Sequence, residues 1–508
     1  MGNNYERLEF LGDCFLKMAT TIAIFTASPE RDEFEYHVER MILICNQNLF
    51  NCAVAEDRRL QEYVRSKKFD RRTWYPCGVK LTKGKAPKDK EDHSLSDKSI
   101  ADVCEAVIGA AYQTHVADAS MLGMPGTAAV GFFDEAVKAV TAVTRNKRHA
   151  MQSWAEYYKG FKIPAWQIMD TDGHKAIKKF VAEKTGYVFI HPALLRSAFK
   201  HPSYPYESNI PSYQRLEFLG DSLLDMVCVD FLFRRFPEAD PQWLTEHKMA
   251  MVSNQFLACL CVELEFHPHM ACLHAEILTN IGKFAATLKK AKIGIDEEVV
   301  NEQPEKATQT DTTRSPPFLV SSTPQQTKDF WLRVDLPAPK CLSDIVEAFI
   351  GAIFVDAQYD FSVVAAFFER HVRPYFEDMS LYDSFANRHP ITLVSRRLGG
   401  EFGCRCWRVV TRETAPDEDE GANTGVLTET KVVAGILVHG KVVVAETAQS
   451  GRSAKVAAAK AALKWLEGFK DRDEFAEMSG CDCKEKVEGD GKGGTEEGDS
   501  LEAHGTAC

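Results

Sequence analysis

One nine-residue segment occurs twice, almost unchanged, in this chain of 508 residues. YERLEFLGD at 5–13 returns as YQRLEFLGD at 213–221, and DVCEAVIGAAY at 102–112 returns as DIVEAFIGAIF at 344–354. Solenoid repeats recur every 20 to 50 residues or so, and this repeat is far longer. The chain therefore contains two copies of one domain, and each copy carries both segments.

Apolar residues within the repeated segments recur at helical spacing, as Leu8, Leu11 and Phe15 do in the first. We therefore predict that both copies are helical throughout and that the protein is mainly α. The second copy also has a segment that leads into its signature, LLRSAFKHPSY at 194–204, for which we expect a helix. Its later motifs are more widely separated, and a stretch rich in Thr, Pro, Gln and Ser accounts for the extra length.

The pattern changes to alternating apolar residues after Pro374. CWRVV at 406–410, KVVAGILVHG at 431–440 and KVVVAE at 441–446 are typical of strands. SAKVAAAKAALKWLEGF at 453–469 predicts a helix. We expect a small α+β domain here, with the order helix, three strands, helix.

These patterns predict five parts. They are a first helical domain at 1–146, a connector at 147–176, a second helical domain at 177–380 with a flexible insertion at about 291–329, an α+β domain at 387–468, and an extension with an acidic, disordered tail at 469–508.

The net charge of −12 is unevenly distributed. Residues 470–508 carry 12 Asp and Glu against 5 Lys and Arg, whereas 387–468 carry 9 against 12. The acidity is therefore partly a tail and partly carboxylates that a metal ion could neutralise. The longest apolar stretch, around 18–26, is too short to span a membrane. The fifteen cysteines, without a visible secretory signal, predict a reducing compartment, the cytoplasm or the nucleus.

Each copy has two pairs of acidic residues, three or four residues apart, so that the members of a pair share a helix face. The pairs are Glu9 with Asp13 and Asp102 with Glu105 in the first copy, and Glu217 with Asp221 and Asp344 with Glu347 in the second. Carboxylates that point inward together repel one another unless cations lie between them. Hard oxygen ligands select Mg²⁺ or Mn²⁺, and two such ions can activate a water and stabilise the leaving oxygen in phosphodiester hydrolysis.

The acidic pairs have two other interpretations. A single pair at helical spacing is most often solvated surface, but here both pairs recur in duplicate among apolar neighbours. A di-iron carboxylate bundle would need Glu-x-x-His on two helices. Neither Glu105 nor Glu347 has a histidine three residues on, so this alternative is weak.

ERLEFLGD together with ADVCEAVIGAAY resembles the two signature segments of ribonuclease III. Two such copies followed by a double-stranded-RNA-binding domain resemble Dicer, and fungal Dicer-like proteins in particular. The resemblance extends to about residue 483. It implies a magnesium-dependent endoribonuclease of RNA silencing and antiviral defence that cuts double-stranded RNA into short duplexes with 3′ overhangs.

The resemblance also implies a role for each carboxylate. Glu9, Asp13, Asp102 and Glu105 would form one catalytic site, and Glu217, Asp221, Asp344 and Glu347 the other, each holding two Mg²⁺ or Mn²⁺ ions. The two domains would pair within the chain as a pseudo-dimer, and each would cut one strand. Dicers carry helicase and PAZ regions upstream, so we expect this chain to be a fragment or a truncated gene model.

The α+β domain resembles the double-stranded-RNA-binding fold, which recognises A-form shape with little sequence preference. In that family, basic residues at the start of the last helix face phosphates. Here Arg452 and Lys455 occupy that segment. A solvated helix start is the alternative for these two residues.

Cys404, His439, Cys481 and Cys483 form a set that can bind zinc tetrahedrally. None has CxxC spacing, so the sequence alone is a weak indication, but certain fungal Dicers are similar in holding a zinc here. Cys406 could replace Cys404, since alternation along a strand puts both on one face. We expect a structural zinc.

Two function classes compete with a Dicer-like nuclease. One is a non-catalytic binder of double-stranded RNA, which eight intact carboxylates argue against. The other is a ribonuclease III that matures ribosomal RNA, which normally has one nuclease domain per chain.

The copies differ at one position close to the acidic residues. Lys17 stands four residues after Asp13, whereas Asp225 stands four after Asp221. If the copies pair about a pseudo-two-fold axis, these opposite charges approach one another and favour pairing of the first copy with the second. Two unrelated substitutions on a solvated face are the alternative.

Overall fold

The computed structural model of the protein divides into two compact units, unit 1 at 1–381 and unit 2 at 382–508. The residues that it describes are 5–55, 57–64, 95–121, 133–169, 172–301, 328–334, 336–383, 385, 390–413, 432–448, 451–481 and 483. Of the predicted extension and acidic, disordered tail at 469–508, residues 482 and 484–508 therefore lie outside the described residues.

Unit 1 is helical throughout its described part, as the apolar spacing predicted. The first copy and the connector contain α1 (Glu6–Ala27), α2 (Glu33–Ile44), α3 (Asn46–Ala53), α4 (Asp97–Met121), α5 (Asp134–Thr144), α6 (Ala155–Gly160) and the start of α7 (Asp172–Thr185). The second copy contains α8 (Pro192–Ala198), α9 (Gln214–Arg235), α10 (Pro241–Met251), α11 (Asn254–Glu263), α12 (Ala275–Asn301), α13 (Lys340–Asp356) and α14 (Ser362–Phe367).

Two of these helices correct the predicted boundaries. The helix α8 ends at Ala198, well before the end of the leading segment 194–204. The predicted flexible insertion at 291–329 is wrong at its start, because 291–301 continue α12. The Pro- and Thr-rich run begins after the end of α12, and 302–327 lie outside the described residues.

The helices that carry the repeated signature pack together at the centre of unit 1. Helix α1 contacts α4 within the first copy, α9 contacts α13 within the second, and α1 contacts α9 between the copies. Tyr36 stacks on Phe218 across this surface with ring centroids 5.1 Å apart, and Tyr112 donates a 3.0 Å hydrogen bond to Asp230. The two copies therefore form a pseudo-dimer within one chain.

Lys17 and Asp225 meet on the surface between the copies, as their opposite charges predicted. The Lys17 ammonium lies 3.3 Å from an Asp225 carboxylate oxygen. That this pair selects how the copies associate stays a prediction.

Helix α1 is long and apolar, and most of its apolar window is buried. It has 22 residues and, among the described helices, it alone is long and apolar enough to span a membrane, which is more than the stretch 18–26 suggested. However, 78% of its apolar window is buried inside the unit. Packing against α4 on one side and α9 on the other accounts for an apolar surface nearly all round.

The connector joins the copies through buried aromatic residues. Trp154 is 5% exposed and donates a 3.0 Å hydrogen bond from its indole to the Tyr359 carbonyl of the second copy. Tyr157 is fully buried, and its hydroxyl lies 2.7 Å from Nε2 of His149. His149 is also fully buried, with Nδ1 3.0 Å from the Thr141 hydroxyl.

Unit 2 has the predicted order of helix, three strands and helix. Its elements are α15 (Pro390–Arg396), β1 (Trp407–Glu413), β2 (Val432–Val438), β3 (Lys441–Ala448), α16 (Gly451–Leu466) and α17 (Arg472–Ser479). The strands form an antiparallel sheet in the order β1-β2-β3, with Trp407 opposite Val438 and a tight turn at His439–Gly440. Helix α16 packs on β2 and β3, so the apolar face of the sheet is covered.

The buried His149 should make unit 1 sensitive to acid. Burial lowers the pKa of His149 to about 4, whereas an unfolded histidine titrates near 6.5. Its contribution to stability is therefore fully present above about pH 6.5 and is lost as the pH falls towards 4, at a cost of about 3 kcal/mol.

Thermal unfolding of the wild-type chain and of His149→Gln, followed from about pH 7 to about pH 4.5, tests this. The glutamine cannot take up a proton, so the variant should lose less stability over that range. His274→Gln, at an exposed histidine, is the matched control and should behave as the wild type does. Equal acid sensitivity of all three proteins would contradict the assignment.

Candidate active site and metal centres

The two signature segments of each copy meet where two glycines face each other. A Cβ atom on Gly220 of α9 would lie 1.8 Å from the Glu347 carbonyl oxygen of α13. A Cβ atom on Gly351 of α13 would lie 2.3 Å from the Leu216 carbonyl oxygen of α9. Any side chain would collide with the facing backbone at these distances. Gly12 and Gly109 make the same contact in the first copy, with corresponding distances of 1.8 and 2.1 Å.

The close crossing brings acidic residues of both helices together in the first copy. Oxygen atoms of Glu9 from α1 and of Asp102 and Glu105 from α4 all lie within 4.8 Å of one another. Glu105 is only 8% exposed. Lys98, one turn before Asp102, lies 3.5 Å from the Asp102 carboxylate.

The second copy builds an equivalent cluster. Oxygen atoms of Glu217, Asp344 and Glu347 lie within 4.8 Å of one another. Tyr213 donates a 3.0 Å hydrogen bond to one oxygen of Asp344. Lys340 donates to both Glu217 and Asp344, each at 2.8 Å.

The fourth carboxylate of each predicted set lies outside its cluster. Asp221 is one turn beyond Glu217, and its side chain, 39% exposed, contacts the Lys17 ammonium at 3.0 Å. Asp13 likewise is not grouped with the first cluster. The structure thus brings together three of the four predicted carboxylates in each copy and leaves the fourth close beside them.

Burial and mutual repulsion oppose ionisation of the clustered carboxylates. Burial, followed by the neighbouring Asp13 and Asp102, raises the pKa of Glu105 to about 9. Burial and the charge of Asp344 raise the pKa of Glu217 to about 7, and burial with Asp221 raises the pKa of Glu347 well above its usual range. A cation among these oxygens would remove both penalties, so the donor sets fit divalent metal ions.

Unit 2 has its own cluster of metal-ligating residues. Atoms of Cys404, His439, Cys481 and Cys483 lie within 4.8 Å of one another. The three sulfur atoms lie 3.6, 3.2 and 3.5 Å from the same imidazole nitrogen, Nε2 of His439. Cys404 rather than Cys406 belongs to this group, which decides the alternative that strand alternation left open.

The helix that precedes two of the cysteines, α17, was not predicted. Asp471 begins α17 by accepting a hydrogen bond from the Glu474 amide, and Gly480 ends the helix in a left-handed conformation. Phe475 of this helix is buried in the core of unit 2. Because Phe475 packs in this core, the chain that follows α17 lies close enough for Cys481 and Cys483 to contact His439. The Asp-x-x-Glu pattern of a capped helix start could have indicated α17.

The two residues expected to contact RNA lie in the first turns of α16. Lys455 is exposed. Arg452 belongs to the same helix, but its side chain lies outside the described part of the structure. The expected contact surface is therefore only partly described.

Comparison with protein-family models decides the family. A model of the ribonuclease III domain matches residues 6–115 and 214–358, together about half of the chain. The chain belongs to the ribonuclease III family. A model of a double-stranded-RNA-binding domain matches 382–468. Ribonuclease III domains generally depend on divalent metal ions, in keeping with the carboxylate donor sets.

Similar proteins include fungal Dicer-like proteins. Dicer-like protein 1 of Neurospora crassa is 49% identical over 100% of this chain, and that of Chaetomium globosum is 50% identical over 95%. The chain spans only 31% and 29% of the lengths of these two relatives. A solved structure of Giardia Dicer aligns with 73% of this chain and 54% of its own at a TM-score of 0.36 and 13% identity.

The lysines beside the carboxylates were missed by the sequence reasoning. Lys98 and Lys340 each stand four residues before the aspartate of the second signature segment, on the same helix face. Both ribonuclease III domains carry this lysine. Its recurrence at one position in both copies was a usable signal.

The glycine contact should be essential to the second ribonuclease III domain. Gly220→Ala places a methyl group against the Glu347 carbonyl, so α9 and α13 must separate and the carboxylates must move apart. We expect a loss of roughly 2–4 kcal/mol of stability, because such an overlap cannot relax locally. Thermal unfolding measures it.

Gly282→Ala is the matched control for this change. Gly282 lies in α12, and a Cβ atom there would meet nothing within 4 Å. This variant should be neutral or more stable by about 0.5–1 kcal/mol, since alanine favours helix. If both variants unfold alike, the close crossing does not hold the site together.

Proposed function

We propose that this chain is a divalent-metal-dependent endoribonuclease that cuts double-stranded RNA into short duplexes with 3′ overhangs. The observation that carries the proposal is the pair of equivalent carboxylate clusters, Glu9–Asp102–Glu105 and Glu217–Asp344–Glu347, within one pseudo-dimer. Membership of the ribonuclease III family and the double-stranded-RNA-binding match support the substrate. The similarity to Dicer-like proteins supports a role in RNA silencing.

In each domain three clustered carboxylates would hold Mg²⁺ or Mn²⁺, and the adjacent Asp13 or Asp221 would complete the set. When bound there, the ions supply an acidified water and neutralise charge at the cleaved phosphate. The glycine crossing holds the ligands in place, because the helices that carry them are in backbone contact. Burial of the oxygens limits competition from bulk water.

Lys98 and Lys340 would take part in positioning the substrate. The Lys340 ammonium bridges Glu217 and Asp344. The Lys340 side chain is 66% exposed, so it can swing outward when those carboxylates are neutralised. Its ammonium can then donate to a phosphate oxygen of the bound strand.

Unit 2 would hold the duplex by its backbone. Lys455 is exposed near the N-terminus of α16, where the helix dipole also favours phosphate. Binding of this kind depends on shape and on 2′-hydroxyl groups, and it is sensitive to salt.

Each site should cut one strand. Asp221→Asn or Glu347→Gln should abolish cleavage of one strand only, and Asp13→Asn or Glu105→Gln cleavage of the other. The reason is that each cluster takes all its carboxylates from one domain. Nicked duplex should accumulate in every single variant, as denaturing gels with each strand labelled in turn would reveal.

A folded single variant that cuts neither strand would contradict the two-site assignment. The wild-type chain, assayed with Mg²⁺ and with chelator, provides the reference. Tight binding of duplex without any cleavage in Mg²⁺ or Mn²⁺ would favour the non-catalytic alternative instead.

We further propose that Cys404, His439, Cys481 and Cys483 hold a structural zinc ion in unit 2. Three thiol sulfurs around one imidazole nitrogen form a donor set suited to tetrahedral zinc. Burial raises the pKa of Cys404, which a bound cation would offset. The ion would tie α17 to the sheet.

Replacing Cys481 and Cys483 together by serine should release about one zinc ion per chain and lower the melting temperature of unit 2, because metal binding of this type is coupled to folding. Elemental analysis and thermal unfolding measure the two effects. Cys406→Ser is the matched control and should retain zinc, because Cys406 lies outside the cluster. Wild-type protein that contains no zinc when purified without chelator would rule the site out.

A further inference from the structure

The pseudo-two-fold relation between the copies can be followed residue by residue at their contact. Arg40 of α2 and Lys248 of α10 are 208 positions apart, the same offset as between the signatures. The Arg40 guanidinium lies 4.5 Å from the ring centroid of Phe218, and the Lys248 ammonium lies 5.8 Å from that of Phe10. Each copy thus places one cation next to the signature helix of the other copy. Because both sites have such a cation, these two residues do not make the sites different in charge.

Lys17 and Asp225 are also equivalent by position, but they carry opposite charges. The Lys17 ammonium contacts Asp221 at 3.0 Å and Asp225 at 3.3 Å. Lys248 contacts the other oxygen of Asp225 at 3.2 Å. The first copy thus places a cation directly on a carboxylate of the second site. The second copy offers an anion, Asp225, in the corresponding position near the first site.

Other charged residues occur in pairs, one near each site. Lys98 and Lys340 occupy equivalent positions, one beside each cluster. Glu6 adds one negative charge near Glu9, and Glu33 adds one near Glu217. Lys17 and Asp225 are the equivalent positions that differ in the sign of their charge, and Lys340 contacts two carboxylates at 2.8 Å where Lys98 contacts one at 3.5 Å.

We propose that the opposite charges of Lys17 and Asp225 make the two metal sites unequal, so that the first ribonuclease III domain binds divalent cations more tightly than the second. The Lys17 ammonium contacts one oxygen of Asp221 across the surface between the copies. Its positive charge therefore opposes the binding of a metal ion at the second site. The inference rests on the proposed function, because it requires both clusters to bind metal.

An unequal affinity sets the order of cutting. At a metal concentration between the two dissociation constants the first site is filled and the second is mostly empty. The strand that faces the first domain is then cut first, and a nicked duplex is the intermediate. At saturating metal the two cuts occur together.

Mn²⁺ binding to the full 508-residue chain tests the inference without relying on activity. Electron paramagnetic resonance of free Mn²⁺ gives the affinity of one site at a time in two backgrounds. Glu9→Gln with Asp102→Asn disables the first cluster, and Glu217→Gln with Asp344→Asn disables the second. The first site, measured in the variant whose second cluster is disabled, should bind Mn²⁺ more tightly than the second site, measured in the variant whose first cluster is disabled.

Lys17→Met should then tighten Mn²⁺ binding at the second site by about tenfold, which corresponds to about 1.4 kcal/mol. Lys17→Arg keeps the charge and should leave the affinity close to that of the unchanged chain. Asp225 keeps its contact with Lys248 when Lys17 is replaced, so the methionine variant leaves no lone buried charge. Thermal unfolding in chelator checks that the variant is folded.

If Lys17→Met does not fold, Lys17→Gln serves in its place, because glutamine removes the charge, can still donate a hydrogen bond to Asp221, and leaves the contact between Asp225 and Lys248. This variant should likewise tighten Mn²⁺ binding at the second site. Two sites that bind Mn²⁺ equally, or a second site that Lys17→Met leaves unchanged or weakens, would overturn the inference while leaving the proposed nuclease intact. Absence of Mn²⁺ binding at both clusters would overturn the proposed function itself, and this inference with it.

Discussion

Both proposed nuclease sites depend on helices that cross in backbone contact. Gly220 and Gly351 let α9 and α13 approach until a Cβ atom would overlap a carbonyl oxygen, and Gly12 and Gly109 do the same for α1 and α4. The acidic residues stand within about two turns of these glycines, so the crossing gathers them in a largely buried place. Burying several carboxylates close together costs free energy, and bound metal ions would offset that cost, which couples the shape of the core to metal dependence.

Pairing of the copies adds a second constraint. The signature helices α1 and α9 serve two purposes at once, since each carries ligands for its own site and packs against the other copy. Residues one turn beyond the ligands therefore reach the neighbouring site. Two copies of one domain can carry different residues at such positions. Lys17 and Asp225 form an ion pair between the copies, and the contact of Lys17 with Asp221 distinguishes the second site from the first.

Local patterns predicted the helical copies and the α+β order, since those depend on spacing that can be read along the chain. They failed where a boundary depends on context. Helix α12 continues through 291–301, although composition placed a flexible insertion there. The short α17 was missed because a helix of eight residues has little periodicity, and its position is set by Phe475 packing in the core of unit 2.

The sequence by itself determined the duplication, the acidic residues, the glycines beside them and the Cys and His residues, because these are matters of identity and spacing. Only the tertiary structure decided which of them meet. It grouped three carboxylates per copy and set Asp221 against Lys17, and it chose Cys404 over Cys406. Distances between residues far apart in the chain depend on how helices cross and copies pair, and the packing of whole surfaces sets those angles.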